Sequence, residues 1–126
     1  MRLNLFKNLG FISLLVVVVF LSACSAPQAN NQQKEITIPP GKILFFSSSC
    51  PHCAVVRQYI NDNNLHQKTY FVERDINSDQ EAYQLMPIIG QRCAIVENQL
   101  GVPFFWDGNK CYAGDEAIIN YFKTLP

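Results

Sequence analysis

The sequence lacks an excess of either charge: ten basic and ten acidic residues stand among 126. It also lacks any basic cluster and any interleaving of aromatic with basic side chains. A phosphate backbone meets no counter-charged face here, which excludes nucleic acid as a partner. No apolar run is long enough to cross a bilayer as a finished helix. The candidate stretch, Phe11 to Leu21, has 11 residues, where a spanning helix needs about 20. The outlying cysteines, Cys93 and Cys111, stand far apart with no histidine beside either. The second ligand pair of a structural zinc site is therefore missing, and no metal is expected. At 126 residues with 48% hydrophobic content, the chain makes one small domain.

What is present centres on Cys50-Pro51-His52-Cys53. This dithiol follows the apolar run Ile43-Leu44-Phe45-Phe46 and precedes a helical pattern from Ala54 to Ile60, so it sits at a strand-to-helix junction. Proline is favoured at the first helical position, where its missing N–H costs nothing. Pro51 at that position makes Cys50 the N-cap. Its sulfur then faces the free backbone N–H groups of His52 and Cys53 at the positive end of the helix dipole. These donors favour the thiolate, and a His52 N–H aimed at the sulfur would add to the effect. Cys53, one turn in, is expected to be the less exposed, resolving thiol. Half of a metal site and a structural disulfide are the competing readings of such a pair.

The N-terminal residues read as an address. Arg2 and Lys7 precede the short apolar stretch with no acidic residue among them, the pattern of a signal peptide. Leu21-Ser22-Ala23-Cys24 resembles the lipobox of bacterial lipoproteins. That resemblance implies a signal over residues 1–23, cleavage, and lipidation of Cys24, which anchors the chain to the lipid bilayer. Ser25 after Cys24 resembles the Gram-negative outer-membrane sorting pattern. An ordinary secretory signal and a retained anchor are the alternatives. Each puts the domain outside the cytoplasm, where disulfides persist, and lipidation leaves four thiols, Cys50, Cys53, Cys93 and Cys111. Cleavage removes two basic and no acidic residues, taking the mature chain to about −2.

Ser25 to Lys34, rich in Ala, Asn and Gln, reads as a flexible tether, and residues 24–41 are assigned to it. Its stretched reach is about 60 Å. Residues 42–126 form the domain. Glu35 to Ile38 alternates and is a candidate edge strand, ended by Pro39-Pro40. Lys42 to Ser47, apolar on both faces, is a central strand. The first helix runs from Pro51 to about Asn63 and buries Val55, Val56, Tyr59 and Ile60. Lys68 to Arg74 is the second strand, completing a right-handed βαβ unit. Asp79 caps a short helix with Ala82, Leu85 and Met86, broken at Pro87. Ile89, Cys93, Val96 and Leu100 then recur at helical spacing, so a further segment runs to Leu100. Pro103 to Trp106 and Lys110 to Tyr112 flank Asp107-Gly108-Asn109 as a β-hairpin. The last helix begins near Asp115 and buries Ile118, Ile119, Phe122 and Leu125. The fold class is α/β, in the order β-α-β-α-β-β-α, a mixed sheet with helices on both faces.

With the dithiol after the first strand, Gly101-Val102-Pro103 before the hairpin and Tyr112-Ala113-Gly114-Asp115 entering the last helix, residues 43–125 resemble a thioredoxin-fold domain of glutaredoxin size. The resemblance implies a thiol-disulfide oxidoreductase needing no cofactor. It also implies a cis bond at Pro103, beside the first cysteine, with the Val102 backbone free to pair with an extended substrate. Catalytic roles fall to Cys50, Cys53, His52 and Pro51, and substrate binding to Val102 and Pro103. Glutathione-binding glutaredoxins usually carry a lysine where this chain has Ser47, although Gly114-Asp115 resembles their γ-glutamyl site. Typical thioredoxins have Trp-Cys-Gly-Pro-Cys and a buried aspartate, where this chain has Ser49 and Leu44. The Pro-His pair resembles that of periplasmic disulfide oxidases. Their helical insertion is absent, as only Asp79 to Leu100 is available, so a shallow, permissive substrate site is expected.

Direction depends on the thiolate. Strong stabilisation of the reduced Cys50 makes an oxidase, and weaker stabilisation makes a reductase or isomerase. The features above lean to oxidation of protein thiols, with a membrane redox partner recycling the dithiol. Cys93 on an apolar stripe and Cys111 in a hairpin strand leave open a structural disulfide, buried free thiols or a redox relay. A metallochaperone using Cys50, Cys53 and His52 for copper or zinc, and a glutaredoxin-like reductase, are the alternative functions. His66 is expected in a solvated loop, and Phe104, Phe105 and Trp106 mostly in the core.

Overall fold

Four consecutive apolar residues, Ile43–Phe46, form β1, and all four are buried. Such a strand has no polar face and needs cover on both sides. A computed structural model describes residues 35–126. There, β1 lies between the parallel strand β2 (Val72–Asp75) and the antiparallel strand β3 (Phe104–Trp106), with β4 (Cys111–Ala113) beyond β3. The helices among the described residues are α1 (Pro51–Asp62), α2 (Leu65–Lys68), α3 (Gln80–Arg92) and α4 (Asp115–Lys123), with a 3₁₀ turn at Glu97–Gln99.

Register sorts the strand side chains into two cores. Ile43 stands opposite Trp106 and Phe45 opposite Phe104, and these pack against Ala82, Leu85, Met86 and Ile89 of α3. Leu44 stands opposite Phe105 on the other face, against Val56 and Ile60 of α1 and Ile118 and Phe122 of α4. The mixed sheet with helices on both faces is the architecture expected. None of the helices among the described residues is long and apolar enough to cross a membrane. The signal expected over residues 1–23, the lipidation expected at Cys24 and the tether expected up to Lys34 lie outside the described residues.

Several local expectations are corrected. Glu35 to Ile38 is not a strand, and Ile36 and Ile38 instead pack against the α3-side core. Val55 is exposed, because the inward stripe of α1 is Cys53, Val56 and Ile60, and a residue one step from Val56 is turned about 100° away. The second strand is shorter and later than Lys68 to Arg74. Asn64 at φ 52 starts α2, which buries Leu65 and keeps Lys68 helical, and parallel pairing with only Ile43–Phe46 limits β2 to Val72–Asp75. His66 accordingly lies in α2, stacked on Phe71 at 4.4 Å and bonded to Glu73 at 2.8 Å.

Pro87 does not break α3. The carbonyl it deprives is that of Tyr83, one turn back on the exposed side of the helix, while burial of Leu85, Met86, Ile89 and Gly90 holds the helix to the sheet. Of the segment expected from Ile89 to Leu100, by contrast, only the part up to Arg92 is α-helical, as the end of α3. Cys93 is the C-cap of α3 and Ala94 takes φ 57, so the chain turns before Val96. Leu100 folds back onto Gly90, where a Cβ would come within 2.9 Å of its side chain.

Candidate active site

Proline at the first helical position lets α1 begin at Pro51, and the sulfur of Cys50 caps it, accepting the N–H of Cys53 at 3.3 Å. The N–H of His52 makes no such bond in the structure. The Cys50 thiol lies 3.6 Å from the carbonyl oxygen of Val102, to which it donates. The Val102–Pro103 bond is cis, and Pro103 is buried while Val102 is half-buried. The Pro103 carbonyl accepts the N–H of Gly114 at 2.9 Å. Gly114, at φ 87, turns the chain from β4 into α4 in a conformation that a side chain would resist. The dithiol turn after β1, the proline loop before β3 and the start of α4 after β4 thus meet at one end of the strands.

The two thiols differ sharply in environment. Cys50 is half-buried at the surface, while Cys53 is only 1% exposed. Burial, then the hydrogen bond it makes to the Cys50 sulfur, push the Cys53 thiol up to about 12, against the pull of a Ser47 backbone N–H. Cys53 therefore holds its proton in the reduced pair. The Cys53 backbone N–H is aimed at the Cys50 sulfur.

The contact of His52 with the sulfur, one of the expectations from the sequence, is not made. The His52 side chain is 72% exposed, and Nδ1 bonds Asp115 Oδ2 at 3.0 Å rather than pointing at the sulfur. Position 2 of α1 faces outward, and the first turn of α4 brings a carboxylate to it. The His52 hydrogen bond holds the Asp115 carboxyl below the usual carboxylate range, helped by the backbone N–H groups of Glu116 and Asp115 itself. Cys93 and Cys111 are joined in a disulfide with Cα atoms 6.1 Å apart, inside the span such a bond allows. No group of three or more His, Cys, Asp or Glu among the described residues is arranged to hold a metal ion.

Sequence reasoning missed a second layer under the dithiol. Ser47, which precedes it, receives Asn77 Nδ2 at 2.7 Å on its hydroxyl. Asn77 is placed by the turn after β2, its N–H donating to Asp75 Oδ1 at 2.9 Å. The spacing Asp-x-Asn marks such a turn, but only the parallel pairing of β1 with β2 carries it to Ser47.

Residues 43–104 match the Glutaredoxin family model. No curated protein matches the chain. Among solved structures, the holo form of glutaredoxin C1 from Populus tremula x tremuloides is 14% identical, covering 67% of this chain and 75% of that one, with a TM-score of 0.47. A buckwheat glutaredoxin–glutathione complex is 13% identical, over 66% and 68% respectively, also at 0.47. The matched residues, just under half of the chain, carry the cysteine pair at the head of the first helix and strands β1 and β2 of the four-stranded mixed sheet, and the fold is glutaredoxin-like.

Proposed function

We propose that the chain is an extracytoplasmic, lipid-anchored thiol-disulfide oxidoreductase that oxidises protein thiols through Cys50 and Cys53. The observation that carries this reading is a half-buried sulfur at a helix N-terminus, receiving the Cys53 backbone N–H at 3.3 Å, next to a second thiol that is 1% exposed. A dithiol whose reduced form is stabilised in this way is a better oxidant.

The cycle needs no cofactor. A substrate thiolate attacks Cys50 of the oxidised pair, forming a mixed disulfide, and the electron pair of the broken S–S bond leaves on Cys53, which takes up a proton. A second substrate thiolate attacks the substrate sulfur and displaces Cys50. Two substrate thiols become a disulfide, and their two electrons reside in the reduced pair until a membrane redox partner removes them. The half-buried Val102 beside Cys50 offers backbone to an extended substrate segment.

The disulfide between Cys93 and Cys111 supports an oxidising compartment. The segment before Cys24 supports export and acylation, on the periplasmic side and at the outer membrane of a Gram-negative cell. The test is the reduction potential of the Cys50/Cys53 couple in glutathione buffers, together with oxidation of a reduced test protein. A potential near −120 to −180 mV and loss of activity in Cys50→Ala are expected. A potential of about −200 to −230 mV or lower would overturn the oxidase direction in favour of a glutaredoxin-like reductase. A labelled-palmitate experiment on the full chain tests acylation of Cys24, with Cys24→Ala as control.

A further inference from the structure

The sulfur of Cys50 stands between opposed backbone partners. The Cys53 N–H reaches it at 3.3 Å, which favours the thiolate, while its own thiol donates to the Val102 carbonyl at 3.6 Å, which favours the neutral form. A third group near the sulfur can therefore tip the balance. His52, two residues on in the first turn of α1, is an ionisable side chain placed to do so, and it is already engaged. Its Nδ1 lies 3.0 Å from Asp115 Oδ2, 63 positions away in sequence. Two fastenings bring the carboxylate there. The Gly114 N–H on the Pro103 carbonyl at 2.9 Å sets where α4 starts, and Val56 and Ile60 of α1 share a core with Ile118 and Phe122 of α4. Of the other charged groups at this end of the strands, Glu116 is exposed in the first turn of α4, and Asp75 at the end of β2 accepts the Asn77 N–H at 2.9 Å. Residues 101–106, the proline loop and β3, carry none.

We propose that Asp115 is a positioning residue for the dithiol: it holds the His52 imidazole away from the Cys50 sulfur. The proposal rests on the exchange reaction above and concerns what sets the acidity of its outer sulfur. A sulfur that gains an N–H donor or a nearby positive charge loses its proton more readily. With the imidazole bonded to Asp115, its donor is committed to a carboxylate, and the charge of a protonated ring is offset beside it. Removing the carboxylate acts in one direction whatever the protonation of the ring. The charge near Cys50 becomes more positive or stays level, and the ring is released to turn back over the end of α1 towards the sulfur. Asp115 thus makes the couple a weaker oxidant than the Pro-His pair without it would be. The two side chains are 72% and 32% exposed, so the hold is weak, and a change of about two- to fivefold in the acidity of Cys50 is what it supplies.

The experiment is alkylation of the reduced full chain across pH, followed on the Cys50 peptide by mass, at about 0.15 M salt, where a lone charge is screened over about 8 Å. Cys53 is 1% exposed and burial pushes its thiol up to about 12, so it does not compete for the label. The rate relative to its alkaline plateau gives the thiolate fraction of Cys50. In Asp115→Ala that fraction is expected to rise about two- to fivefold on the acid side of the profile. In glutathione buffers the couple becomes more oxidising by about 10–20 mV, at about 30 mV per tenfold. Asp115→Asn, which still offers an oxygen to Nδ1, shows less than half of that rise. With His52→Ala already in place, adding Asp115→Ala changes the fraction by less than about 1.5-fold. No rise in Asp115→Ala, an equal rise in Asp115→Asn, or the same rise with His52 absent each overturns the proposal. A wild-type chain that forms no mixed disulfide with glutathione at Cys50 overturns the exchange reading, while the alkylation profiles still judge Asp115, so the two failures are told apart.

Discussion

Replacing Cys93 and Cys111 together by alanine removes a cross-link with a sequence separation of 18. In the chain-entropy description, releasing a loop of that length from the unfolded ensemble costs about 3 kcal/mol at 25 °C. Both residues are half-buried, so truncation to alanine adds little cavity cost to that figure. The bond closes a loop holding Ala94 at φ 57, the 3₁₀ turn and the Val102–Pro103 segment, and among its other fastenings are the Ile95 N–H on the Gly90 carbonyl at 2.9 Å and Leu100 on Gly90. For a domain this size, each kcal/mol shifts the unfolding midpoint by about 4–8 °C, so a drop of about 12–24 °C is expected. Thermal unfolding followed by circular dichroism without reductant measures it, and wild type with reductant should lose stability in the same direction. A drop below about 4 °C would refute the reasoning, since it would mean that the loop is no freer in the unfolded chain without the bond.

Two further outcomes follow from groups whose proton affinity folding changes. The Cys53 thiol is raised by burial from its ordinary 9.0 to about 12, so the folded protein binds that proton more tightly than the unfolded chain. Its contribution is complete below about pH 9 and drains away as the pH rises towards 12. Tyr112 and Tyr121, also raised by burial, act in both redox forms. Urea midpoints at pH 8 and 10.5 should therefore fall further for the reduced protein than for one oxidised at Cys50–Cys53, and parallel falls would contradict the assignment. Asp79 caps α3 by accepting the Ala82 N–H at 3.0 Å and holds Arg74 at 2.7 and 2.9 Å. The Arg74 hydrogen bond keeps the Asp79 carboxyl below the usual range, so its stabilisation is present above about pH 4 and lost as the pH falls through its lowered folded value. Asp79→Ala should cost about 1–2 kcal/mol at pH 7 and progressively less in acid, read from urea unfolding at both pH values.

Features governed by neighbours in sequence could be read from the chain alone. Pro51 after Cys50 dictates a helix start with a sulfur at its cap, Asp107-Gly108-Asn109 dictates a hairpin, and an unbroken Ile43–Phe46 dictates a strand with two covered faces. In each case the deciding forces act within a few residues, through missing N–H groups, tolerance of positive φ, or side-chain period. Packing across the sheet decided the rest. It carried α3 through Pro87, turned Val55 outward, gave His52 to Asp115, and brought Asn77 to Ser47 across 30 residues. Each of these outcomes depends on which strand lies beside which, a relation between distant segments that no local pattern encodes.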